Sequence, residues 1–116
     1  MRGDEKRVVT AFTDWLECQG WAVTPEAEFA DVYAERGGEK LYAEAKGRTA
    51  EIGLDMDMLY GQLLRRMTDP RPSTRYAVVV PTIALTAARR VPTQVRGLLH
   101  IDIYEVDDSD QVHPRD

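Results

Sequence analysis

Cysteine is nearly absent: Cys18 is the single thiol in 116 residues. An internal disulfide is therefore excluded, and one thiolate is too few for a structural zinc site. The helical pattern around Cys18 predicts a buried thiol. Histidine is scarce too. His100 and His113 lie far apart with no metal-type spacing, and His100 is expected to open a strand. No apolar run approaches the roughly 20 residues of a membrane span. The opening Met-Arg-Gly-Asp-Glu-Lys-Arg lacks the apolar centre of a signal peptide. These absences predict a cytoplasmic protein with no membrane partner. The sequence also has no glycine-rich phosphate loop, no Ser-His-Asp set and no Cys-His nucleophile. Asp107, Asp108 and Asp110 lack the later Glu of a calcium loop and read as a solvated turn.

An excess of positive charge is missing as well. The net charge is −5, which by itself argues against a nucleic-acid partner. The distribution weakens that objection. Residues 1–59 hold seven basic and thirteen acidic side chains, residues 60–100 hold seven arginines against Asp69, and residues 101–116 hold one arginine and six acids. A basic middle can present a phosphate-binding face even in an acidic chain.

What is present is periodic. Residues 4–19 read as an amphipathic helix with Val8, Val9, Phe12, Trp15, Leu16 and Gln19 on one face and Glu5 projecting to the same side. Gly20 stops it. Residues 21–24, 29–35 and 40–46 read as strands, the last two joined by a turn at Arg36-Gly37-Gly38-Glu39. Residues 54–67 read as a second helix with Met56, Leu59, Tyr60, Leu63 and Met67 as its apolar stripe. Asp69-Pro70-Arg71-Pro72 ends it. Residues 75–80 form a nearly continuous apolar strand, expected at a central position. Thr82 is expected to cap a third helix running to about Arg90, with a further turn to Leu98. A strand over 100–106 and a short one around Val112 complete the chain. The order α-β-β-β-α-β-α-β predicts an α/β fold, a mixed β-sheet flanked by helices on both faces. One domain spans 1–116, with a core of about 4–106 and an acidic tail of 107–116.

The chemistry concentrates in Glu44-Ala45-Lys46. In a strand, side chains alternate faces, so Glu44 and Lys46 point the same way. Asp31, across the Gly-Gly turn, can join them. A phosphodiester is an anion that resists anionic attack, and a divalent cation offsets that resistance. Mg²⁺ prefers hard oxygen ligands and retains waters, so Asp31, Glu44 and the carbonyl of Ala45 suffice to hold it, with Mn²⁺ as a substitute. Lys46 can hold the attacking water and offset charge on the phosphoryl group. Gly47 permits a sharp exit from the strand.

With these residues in view, the chain resembles the restriction-endonuclease-like (PD-(D/E)XK) nucleases, whose signature is Asp…(Asp/Glu)-x-Lys. Asp31 and Glu44-Ala45-Lys46 carry the resemblance, which covers about residues 4–106. Ala30 stands where the signature usually has proline. The opening is similar to Holliday-junction resolvases and small restriction-type domains. The resemblance implies a Mg²⁺-dependent nuclease acting on DNA, in restriction and defence or in repair and recombination. It implies Glu5 and Gln62 as auxiliary catalytic residues, and a homodimer or a subunit of a larger complex. Arg48, Arg65, Arg66, Arg71 and Arg75 are the expected phosphate contacts. The alternative favoured by the acidic balance is a catalytically inactive nuclease-like domain that binds nucleic acid or a protein partner.

Overall fold

The computed structural model describes residues 3–28, 30–68 and 71–116. Helix α1 (Gly3–Cys18) leads into a meander of β1 (Ala22–Pro25), β2 (Val32–Arg36) and β3 (Glu39–Ala45). Helix α2 (Ile52–Arg65) crosses to β4 (Thr74–Pro81). A 3-10 turn at Thr82–Ala84, α3 (Leu85–Ala88) and α4 (Thr93–Leu99) cross back to β5 (Ile101–Val106), and β6 (Val112–Arg115) closes the sheet. The six strands stand in chain order, β1-β2-β3-β4-β5-β6. The β3–β4 and β4–β5 pairs are parallel; the others are antiparallel. Parallel pairing requires a crossover, and the helices supply it.

Alternation divides the core into two layers. Leu41, Ala43, Ala45, Ala77 and Val79 pack against Val8, Phe12 and Leu16 of α1. Tyr76, Val78, Val80, Ile101 and Ile103 pack against Met56, Leu59, Tyr60 and Leu63 of α2 and the alanines of α3. Val78, Val79 and Val80 are fully buried, each contributing about 1.5–3 kcal/mol. β4 is thus the central strand expected from its apolar run. The β2–β3 turn sits at Gly37 and Gly38, both with positive φ, between the paired residues Arg36 and Glu39. That is the conformation a two-residue hairpin loop demands.

Several local expectations change. Cys18 is exposed rather than buried. It lies about 200° around the helix from Leu16 and borders an open groove lined by Thr10, Trp15 and Val112. Gln19 is exposed beyond the helix end. Thr82 does not cap a helix: its hydroxyl donates to Glu105 Oε2 at 2.5 Å, and the segment divides into the 3-10 turn and the four-residue α3. His100 ends α4 in a left-handed conformation (φ 58°) instead of opening β5. The short last strand expected around Val112 is present, and Val112 to Arg115 of the acidic tail pair with β5. Phe29 as a strand start, and the Asp69-Pro70 part of the helix break, lie outside the described residues. No helix among the described residues is long and apolar enough to cross a membrane.

Candidate functional site

The end of β3 sets the geometry. Glu44 pairs with Val78 and Ala45 with Val79. The backbone N–H of Lys46 continues the ladder by donating to Val79 O at 3.0 Å. Alternation turns Ala45 into the α1 layer and Glu44 toward the α2 side. Asp31, just before β2, accepts a hydrogen bond at Oδ2 from the Ala45 N–H at 2.9 Å. This contact pins the Asp31 carboxylate to the Glu-Ala-Lys segment.

Glu44 is 4% exposed. Burial pushes its carboxyl up to about 7, and the hydrogen bond and charge it shares with Asp31 push the same way; Arg66 opposes them. Arg66 Nε lies 3.4 Å from Glu44 Oε1. Both atoms are buried and neither makes a hydrogen bond, so this is a charge contact only. A buried carboxylate oxygen without a donor, beside a second carboxylate, is costly unless a cation meets it. Two hard oxygen donors with one left unsatisfied fit Mg²⁺ or Mn²⁺.

Gly47 delivers α1 to this point. A Cβ on Gly47 would sit 2.4 Å from the backbone nitrogen of Glu5 and 2.7 Å from the carbonyl carbon of Asp4. The strand exit therefore passes directly against the first turn of α1. The Arg48 N–H donates to the Asp4 carboxylate in a short hydrogen bond, which holds that carboxyl below its usual range. Arg7 joins Asp4 at 3.0 Å and Asp110 at 2.7 Å, tying the same turn to the β5–β6 loop. The result brings Glu5 Oε1 to 4.0 Å from Lys46 Nζ. Gly47→Ala is expected to destabilise the protein by about 1–3 kcal/mol, since backbone rather than a flexible side chain must move. Urea unfolding checks this; an unchanged midpoint would show that the first turn of α1 shifts freely.

The remaining residues divide. Gln62 is exposed on α2, and Arg66, one turn further on, is the residue that meets Glu44. The i, i+4 spacing from Gln62 to Arg66 was the available signal, but helix period alone does not say which of the two reaches inward. Arg48 and Arg65 are exposed. Arg75 does not belong with the cluster. It pairs with Leu41, four residues or about 13 Å before Ala45 along β3, and Asp102 holds it at 2.6 Å. Arg71 lies with Thr74, Leu98 and His100 at the same far end. Arg96 is buried, donating to Val91 O and Thr93. The basic middle is therefore not one face. Composition counted its charges but could not see that several are consumed by local partners.

Among the described residues no group of three or more His, Cys, Asp or Glu side chains is arranged to hold a metal ion. The carboxylates brought together are two, Asp31 and Glu44.

No protein-family model matches the chain, and no curated protein matches it. Solved structures do. An XisH family protein from Nostoc punctiforme superposes with a TM-score of 0.62 at 18% identity, covering 92% of this chain and 96% of that one. An fdxN element excision controlling factor protein from Anabaena variabilis superposes with a TM-score of 0.55 at 16% identity, covering 93% and 96%. The α/β fold is shared with these neighbours over nearly the whole chain.

Proposed function

We propose that this protein is a divalent-cation-dependent nuclease that hydrolyses DNA phosphodiester bonds. The observation that carries the reading is Glu44: a buried carboxylate with an unsatisfied oxygen, set against Asp31, two residues before a lysine paired with Glu5. Asp31, Glu44 and the Ala45 carbonyl are the metal ligands. When bound, the cation polarises the phosphoryl oxygens and lowers the pKa of water. The chain's own residues do the rest. Lys46 holds the attacking water and offsets negative charge on the phosphoryl group. Glu5 orients Lys46. Arg48, Arg65 and Arg66 are the phosphate contacts that remain, with Gln62 at the rim. The description of the Anabaena variabilis neighbour as an excision controlling factor favours recombination over restriction as the setting.

Calorimetric titration with Mg²⁺, paired with cleavage of duplex and branched DNA, tests this. Wild type is expected to bind Mg²⁺ and cleave. Asp31→Asn and Glu44→Gln are each expected to lose both. Metal binding that survives both substitutions would overturn the site. A second reading, an inactive domain of the same fold that binds nucleic acid or a protein, is favoured by the two-carboxylate set and the net charge of −5. It predicts DNA or partner binding with no metal dependence.

A further inference from the structure

Arg66 is held unlike most arginines around it. Arg7, Arg75 and Arg115 hydrogen-bond Asp110, Asp102 and Glu105 at 2.7, 2.6 and 2.8 Å. Arg66 approaches Glu44 only to 3.4 Å, through Nε, with no hydrogen bond formed. A buried ion pair without hydrogen bonds does little for stability, because the desolvation cost of both charges offsets their attraction. Yet the guanidinium stands at the buried carboxylate oxygen that has no other partner. Its side chain is 28% exposed, and its residue lies at the end of α2, with a left-over turn rather than helix on its far side. Leaving Glu44 would break no hydrogen bond of its Nε.

We propose that Arg66 is a displaceable internal cation, which neutralises Glu44 in the metal-free protein, gives it up to a divalent cation, and is then free to take a phosphate of the substrate. This rests on the nuclease reading and deepens it. A guanidinium and a divalent cation repel each other at a shared carboxylate oxygen, so they exclude one another there. Once displaced, a guanidinium needs a new anion, and a phosphodiester suits its planar fork. Metal without substrate sends Arg66 into water; metal with substrate gives it a partner. Each ligand therefore strengthens the other, and the coupling is reciprocal. Arg66 acts here as a positioning residue for metal and a binding residue for substrate.

The test uses the full chain and Arg66→Met, which keeps the apolar stem and removes the charge. Titration calorimetry with Mg²⁺ at pH 8.5, without DNA, is expected to show about tenfold tighter binding by Arg66→Met, the scale on which a neighbouring charge acts on a carboxylate. Arg66→Lys, which keeps the charge, is expected to stay near wild type. A second readout is duplex DNA binding across a salt series, in a Lys46→Ala background whose cleavage is strongly reduced. With Mg²⁺, the log–log salt slope of the Arg66→Met protein is expected to be shallower by about 0.9, one phosphate contact. Without Mg²⁺ the two slopes are expected to coincide. Wild-type Mg²⁺ binding that Arg66→Met leaves unchanged or weakens overturns the proposal alone. So does equal tightening by Arg66→Lys, or a slope difference independent of Mg²⁺. Absence of Mg²⁺ binding by both wild type and Arg66→Met overturns the nuclease reading as well.

Discussion

Lys46→Ala is expected to lower cleavage by about 10²–10⁴-fold, the range for removing one positioned proton-transfer or charge-stabilising group. Duplex binding and Mg²⁺ affinity are expected to change little. The reason is positional. Lys46 follows β3 and is held on the sheet through its backbone bond to Val79, so the side chain is dispensable for the ladder. Its amine lies 4.0 Å from Glu5, half-exposed, and not in a buried pair whose loss would unfold the chain. Glu5→Gln should therefore reduce the rate less, by loosening the amine rather than removing it. Single-turnover cleavage at saturating Mg²⁺ separates these effects from metal affinity. Equal rates for wild type and Lys46→Ala, in protein cleared of contaminating nuclease, would refute the assignment.

Glu44→Gln is expected to change the pH dependence of stability. The carboxyl titrates near 7 in the folded protein against an ordinary 4.5, chiefly because it is buried. The folded state therefore binds this proton more tightly than the unfolded chain does. The stabilisation by the protonated form is fully present below about pH 4.5 and is lost as pH rises through about 7. Above that, the protein carries an ionised, poorly satisfied carboxylate. Glutamine has no such titration. Relative to its standing at pH 4.5, Glu44→Gln should gain on the order of 1–3 kcal/mol over wild type by pH 8. Loss of the charge facing Arg66 sets the lower end of that range. Mg²⁺ at pH 8 should narrow the gap, since it binds only the folded wild type. Denaturant melts at several pH values check both parts. A difference that stays constant from pH 4.5 to 8 would mean Glu44 does not titrate in this window.

Much of the fold is legible in the residues because period and burial agree. Leu41, Ala43 and Ala45 alternate with Tyr42 and Glu44, and the structure turns them to opposite faces as alternation requires. The four apolar residues of α2 at 56, 59, 60 and 63 are buried. Elements whose boundaries depend on tertiary partners were less legible. Thr82 has the chemistry of a cap, but Glu105 sits nearer and takes its hydroxyl. Cys18 lies in the helical run but on the side turned away from Leu16, and is exposed. At the site, the Asp31 and Glu44-Ala45-Lys46 segment could be read from alternation and a tight turn. Gly47 could be read only as a permissive exit. That it admits the backbone of α1 became visible when residues 4, 5 and 47 were seen together. Arg66 was legible as a charge on α2, but not as the charge facing Glu44. Its direction depends on how α2 lies across β3, which no local pattern encodes.

The strand order has a kinetic consequence. Every strand pairs with its neighbour along the chain, so the antiparallel hairpins close short loops, while the parallel β3–β4 and β4–β5 pairs must wait for their helical crossovers. Asp31, Glu44 and Lys46 arrive together in a single hairpin and its exit. Glu5 is different, because α1 must dock on strands that end as late as Val106 and Val112. The carboxylate pair therefore needs only the local hairpin, while the Lys46–Glu5 contact needs α1 docked on the sheet. The carboxylate pair is thus a product of local chain geometry, and the partner of the lysine a product of the tertiary fold.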